Sequence, residues 1–166
     1  PIADKTAVWS PLCGASNSPR LHGYNATGAE MLTGGRAKGT ITCVAKASMA
    51  DGDYITIGDG INVPVLYEFD TVPDGVTGGR TVVDISADTA DQDVAARLVT
   101  AINATQLTLS AAAGTTVGTD DHIITVTHKW PGAGGNVTMT ENVANAGFLV
   151  TGFVGGMTGY YEIKSA

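Results

Sequence analysis

One segment decides the fold class of this chain. From Thr89 to Ala104 the sequence reads Thr-Ala-Asp-Gln-Asp-Val-Ala-Ala-Arg-Leu-Val-Thr-Ala-Ile-Asn-Ala. Its apolar residues Val94, Leu98, Ala101 and Ile102 fall at i, i+4, i+7 and i+8, one stripe of an α-helix. Thr89 followed by Gln92 fits a capping box, and Asp91 and Asp93 sit in the first turn, where the helix dipole favours acids. Asn103 marks the end. A single narrow stripe means a single buried face, so the helix (about 89–104) is expected to lie on a sheet. Ala95, Ala96 and Ala101 keep it slim enough for close packing.

Around this helix the apolar period is two. Ile41, Cys43 and Ala45 alternate with Thr42 and Val44, and Ile55 and Ile57 alternate with Tyr54 and Thr56. Asp51-Gly52-Asp53 and Gly58-Asp59-Gly60 are turn signals at hairpin spacing. Val63 to Phe69 reads as a third strand, with Pro64 implying an edge or a strand start. A long loop with Pro73-Asp74-Gly75 and Gly78-Gly79 precedes Thr81 to Ile85. Beyond the helix, Leu107 to Ala113 and His122 to Trp130 read as strands with a turn at Thr115 to Asp121. Gly132-Ala-Gly-Gly-Asn136 forces a tight bend into Val137 to Thr140, and Phe148 to Val154 is a last strand.

The expected class is therefore α+β, mainly β: an antiparallel sheet or sandwich with one packed helix. Residues 1–38 differ. Ser10-Pro-Leu-Cys-Gly-Ala-Ser-Asn-Ser-Pro19 is turn-forming and no period is sustained, so this part reads as an extended N-terminal arm before a domain at 39–166. Isolated apolar residues, among them Val8, Trp9, Leu12 and Leu21, are spaced as anchors along a surface. An N-terminal strand packed on its own domain is the alternative for this segment.

Only 15% of the residues are charged, against about 25% in an ordinary soluble domain, and 22 are glycine. A weakly charged, Gly- and Thr-rich surface suits faces covered by neighbours in an assembly, or a compact β-rich domain with many turns. The net charge of −7, with nine scattered basic residues, argues against nucleic acid as a partner. No apolar run approaches the ~18 residues of a membrane span. Pro1-Ile-Ala-Asp-Lys has neither a basic n-region nor an apolar h-region, so synthesis in the cytoplasm without Sec export is expected, with Pro1 exposed by removal of an initiator methionine. Cys13 and Cys43 are too few for a disulfide framework and are expected as buried free thiols, a pairing of the two through an arm folded back on the first strand being the alternative.

Motifs for chemistry are weak throughout. His122 and His128 share a strand face but stand ~20 Å apart, too far for one metal ion, and His22 or Asp121 could join either only through folding. Asp51, Asp53, Asp59, Asp120 and Asp121 offer oxygens for calcium, but the spaced EF-hand loop is missing and turn-forming Asp accounts for them. Gly132-Ala-Gly-Gly-Asn136 and Gly34-Gly-Arg-Ala-Lys-Gly-Thr40 both miss the phosphate-loop pattern. No Gly-x-Ser-x-Gly elbow occurs. Trp9, Trp130, Tyr160 and Tyr161 could stack on sugar, although core or interface packing explains them better. No catalytic, cofactor or metal residue is expected, and the chain is read as a non-enzyme.

The order of these parts resembles a small domain that recurs in virion proteins of tailed bacteriophages. The residues that carry the likeness are Gly39-Thr-Ile-Thr, Asp53-Tyr-Ile-Thr-Ile-Gly, Tyr67-Glu-Phe, the helix ending in Ala101-Ile-Asn103, Leu109-Ser-Ala, Ile123-Ile-Thr-Val-Thr and Gly134-Gly-Asn136. They span roughly residues 39–154. The resemblance implies an add-on module in a head or tail lattice, here a capsid decoration or cement protein behind an anchoring arm. Its implied partners are the major capsid protein and neighbouring copies of itself, as a homo-oligomer in the virion. Val8, Trp9, Leu12 and Leu21 would be the interface anchors. A tail tube or baseplate component and a carbohydrate-binding adhesin are the alternatives.

Overall fold

The computed structural model describes residues 34–157. The expected anchors Val8, Trp9, Leu12 and Leu21, together with Cys13, His22, Tyr160 and Tyr161, lie outside the described residues.

Eight strands and one helix follow in the order β1 (Lys38–Thr42), β2 (Tyr54–Ile57), β3 (Val65–Asp70), β4 (Thr81–Asp84), α1 (Asp91–Asn103), β5 (Leu109–Ala113), β6 (Ile123–His128), β7 (Thr140–Glu141) and β8 (Leu149–Val154). They form two four-stranded sheets, β5-β6-β1-β8 and β4-β3-β2-β7. The first is antiparallel throughout, with Ile41 opposite Ile124 on one side and Val150 on the other. The fold is thus α+β, with two antiparallel-dominated sheets and one packed helix.

The alternation read from sequence is what builds the core. Ile41 and Cys43, Ile55 and Ile57, Leu109 and Ala111, and Ile124 and Val126 all point inward and are buried. They join Tyr67, Phe69, Phe148 and Phe153 in one cluster shared by both sheets. Phe69 and Phe148 meet edge to face at 5.7 Å, the arrangement that ring quadrupoles favour. The helix closes this core by packing on β5 and β6 of one sheet and β4 of the other. It buries Val94, Ala95, Leu98 and Ile102, so three residues of the expected stripe are buried, Ala95 joins them, and Ala101 is only half-buried against the core.

Three features depart from the sequence reading. The helix starts one residue later than a Thr89–Gln92 capping box requires: Ala90 is the N-cap, and the Asp93 carboxylate accepts the Ala90 N–H at 3.3 Å. Asp93 is a charged acceptor and Gln92 a neutral one, and alanine has no side chain to return the bond, so only half of a box forms. The second departure is β4, which pairs in parallel with β3, Tyr67 lying opposite Thr81. Residues 71–80 make the return without a helix, where parallel pairs ordinarily need a connection of about a dozen residues or more. Buried carboxylates organise this short return. Glu68 accepts the Thr77 N–H and pairs with Arg80, whose guanidinium lies 4.3 Å over the Tyr54 ring, and Asp70 accepts the Gly75 N–H. The third concerns the start of the body: Ala37, within the span assigned to the arm, is fully buried.

Asn103 does more than end the helix. Its amide donates to the Ala111 carbonyl and accepts the Ala111 N–H, both at 2.9 Å. A side chain thereby stands in for a neighbouring strand along β5, an edge of its sheet, and blunts that edge against stray pairing.

Candidate interaction surface

Both ends of the described body meet at one corner. Gly35 C=O accepts N–H donors from Gly132 (3.2 Å) and Met157 (2.9 Å), and Ala37 C=O accepts from His128 (2.9 Å). Three backbone segments, 35–37, 128–132 and 155–157, therefore run together. Glycine makes this approach feasible: a Cβ on Gly35 would stand 2.3 Å from the Gly155 oxygen, and one on Gly156 2.4 Å from the Gly132 oxygen. Asn136 locks the junction by giving and taking a hydrogen bond with Gly156 (2.9 and 2.8 Å). The Gly132–Asn136 bend read from sequence is thus a short 3-10 turn that aims Asn136 at the C-terminal segment.

Exposed apolar residues flank this corner. Val154 is 70% exposed, Met157 64% and Trp130 62%. Of the core and interface packing expected for Trp130, this exposure excludes the core. Leu149 is also exposed at the other end of β8, the edge strand of the first sheet. Single exposed apolar side chains are ordinary, whereas several on one edge and one corner mark a contact surface. A further apolar pair, Ile61 and Val63, stands out on the β2–β3 loop.

That loop is held by Asp59, which is buried. One oxygen accepts the N–H groups of Ile61 (3.0 Å) and Asn62 (2.7 Å). The other accepts Asn62 Nδ2 (2.7 Å) and the N–H and hydroxyl of Thr108 (2.8 and 2.9 Å). Burial alone would raise the Asp59 pKa, but the Thr108, Asn62 and Ile61 donors outweigh it and hold the carboxyl well below its usual range. Five donors leave it no capacity for a cation, so it acts as a structural staple.

Other candidates from the sequence resolve as follows. His128 is buried edge to face with Phe153 (4.9 Å), and burial lowers its pKa, partly offset by the Asp59 charge. His122 lies beside Asp121 and Asp91, at 3.6 and 3.9 Å, so the two histidines serve different places and do not converge. Cys43 is a buried free thiol, with its pKa pushed up to about 12 by desolvation and then by the Asp91 charge. Asp53, Asp120 and Asp121 bond backbone N–H groups of their own turns, as turn-forming residues do. The Asp51 carboxylate instead accepts the N–H groups of Thr71 and Val72 on the loop after β3, and one of its oxygens also lies within 4.8 Å of oxygens of Asp70 and Asp74. Sequence reading missed Asp70 and Asp74 as partners of Asp51. The β2–β3 pairing places the start of β2 beside the end of β3 and so brings Asp51 to Asp70, and the 71–80 return adds Asp74.

A groove of about 510 Å3 runs between the β4 edge and α1, lined by Val82, Asp84, Arg97, Thr100 and Ala104 among others. Comparison with protein-family models, with curated proteins and with solved structures finds no match. The class defined here is accordingly one of architecture: an α+β body whose exposed apolar residues gather at an edge strand and at the corner where its two ends meet.

Proposed function

We propose that this chain is a non-enzymatic structural protein that works by being packed against neighbours. More particularly, we read it as a capsid decoration or cement protein of a tailed bacteriophage, attached to the major capsid lattice and to copies of itself. The observation that carries this reading is the apolar corner: Val154, Met157 and Trp130 are exposed beside the point where residue 34 enters the body. The segment that precedes residue 34 carries Val8, Trp9, Leu12 and Leu21 at anchor spacing. Arm and corner would then form one continuous contact, with the arm lying across adjacent capsid subunits. The likeness of residues 39–154 to phage virion domains and the low charged fraction support the same reading.

Cosedimentation with purified phage heads tests it. The full chain is expected to bind heads saturably, and a chain lacking residues 2–32 is expected to keep its circular-dichroism spectrum and thermal transition but fail to bind. Binding of the shortened chain at unchanged affinity refutes the clasp. Rings or tubes forming from the concentrated protein, without attachment to heads, favour a tail component. Saturable glycan binding lost on Trp130→Ala favours an adhesin.

A further inference from the structure

From the Asp51, Asp70 and Asp74 carboxylates we infer a divalent-cation site for calcium, at the end of the second sheet where β2 begins and β3 ends. One oxygen from each lies within 4.8 Å of the other two. Oxygens bound to a single calcium ion at 2.3–2.6 Å can stand no more than about 5 Å apart, so this spacing is that of a shared ligand shell.

Proximity of acids alone would be an ordinary surface feature. Asp70 distinguishes this cluster. It is only 5% exposed, and its Oδ1 is fully buried with no hydrogen-bond partner among the described residues. Its Oδ2 has a single long bond among the described residues, from the Gly75 N–H at 3.3 Å. A buried carboxylate oxygen left without a donor is costly, and a cation is the group that satisfies it best. No lysine or arginine among the described residues forms an ion pair with any of the three acids. Lys46, on the neighbouring groove with Thr71 and Val72, instead donates to the Ser86 carbonyl.

The surroundings suit a ligand shell. Asp51 is fixed by three donors on its Oδ1: the Thr71 N–H (2.8 Å), the Thr71 hydroxyl (3.0 Å) and the Val72 N–H (3.2 Å). Its Oδ2 is free of bonds among the described residues. The turn carrying Asp51 is tied to β3 by the Gly52 N–H on the Phe69 carbonyl. Asp51 and Asp74 are exposed, so the site opens to solvent and water can fill the remaining coordination positions. Three hard oxygens with no nitrogen or sulfur favour calcium or magnesium over zinc. An irregular site built from two loops and a strand end suits calcium, which tolerates variable geometry, better than octahedral magnesium. Bound calcium would pin residues 71–80, the short return that lets β4 pair in parallel with β3.

Thermal unfolding and titration calorimetry of the chelator-treated full chain at neutral pH test the site. With CaCl2 at about 100 times its Kd, Tm is expected to rise by roughly 5 °C or more, with a weaker response to MgCl2. Asp74→Asn removes an exposed ligand and is expected to weaken calcium binding at least tenfold, while its Tm in chelator stays at or above that of the unaltered chain. Asp70→Asn is expected to lose the calcium response as well. A Tm and a heat signal indifferent to CaCl2 would overturn the assignment. An Asp74→Asn variant as responsive to calcium as the unaltered chain would overturn it equally.

Discussion

Replacing Asp59 with asparagine exchanges one carboxylate oxygen for an NH2 group and should cost this fold heavily. The carboxylate takes five donors, two on Oδ1 and three on Oδ2. An amide placed with its NH2 at Oδ1 confronts the Ile61 and Asn62 N–H groups. Placed at Oδ2 it confronts the Thr108 N–H, since Asn62 and Thr108 can turn their side chains but not their backbone. At least one part-buried N–H is stranded either way, and every remaining bond loses its ionic acceptor. A bond to a charged group is worth about 1.5–3 kcal/mol and a stranded buried donor costs about 1–3 kcal/mol, so a loss of about 2–4 kcal/mol is expected for Asp59→Asn. For a body of this size that corresponds to a fall in Tm of roughly 10 °C. Asp59→Ala, which strands all five donors, should lose more.

The same residue fixes the sign of a pH effect. The folded pKa of Asp59 lies below its unfolded value of about 3.9, so its contribution is complete above that value. It fades as pH falls through the depressed folded value. Urea unfolding of the unaltered chain and Asp59→Asn should give a constant stability gap from about pH 5 to 8, narrowing below about pH 4. Asp51, Glu68 and Asp84 also have lowered pKa values, so both proteins lose stability in acid, and the difference between them isolates Asp59. A gap under about 0.5 kcal/mol at pH 7, the scatter of ordinary surface changes, would refute the staple. So would a gap that persists unchanged to the acid limit.

Other outcomes follow from the same geometry. Asn103→Ala leaves the Ala111 N–H and C=O without partners and should lower stability by about 2 kcal/mol, read by urea unfolding. The Cys43 thiol should resist an aromatic disulfide reagent at pH 8 in the folded protein and react at once in denaturant; rapid native reaction at that position, with Cys13 replaced by serine, would contradict its burial. Val154→Lys combined with Met157→Lys should shift stability by less than about 1 kcal/mol because both side chains are exposed. The same pair should weaken attachment to heads at least tenfold in the cosedimentation assay.

Much of this architecture could be read from residue order, and the reasons are local. The α1 stripe and the period of two that puts Ile41 with Cys43, and Ile55 with Ile57, on one side each report one buried face, so helix, strands and core residues were legible. Pro64 was read as an edge or a strand start, and it lies just ahead of β3, a central strand. What could not be read depends on distant partners. In β3, Tyr67, Glu68, Phe69 and Asp70 are all buried, so the period of two fails there. Glu68 and Asp70 are covered by the 71–80 return, whose path no local pattern specifies. That return also sets the parallel pairing of β4 and brings Asp74 to Asp51 and Asp70, which is why acids scattered in sequence were read only as turn formers. Asn103 was legible as a helix end but not as the clamp on Ala111, because the amide partner lies on another element. The exposure of Trp130 likewise depends on how its corner is assembled.

Attachment to the phage head is the central claim, and immunogold electron microscopy of intact particles addresses it most directly. Antibody raised against the folded chain is expected to label the head surface evenly. Gold confined to the tail, or particles without label, would contradict the assignment as a capsid decoration protein.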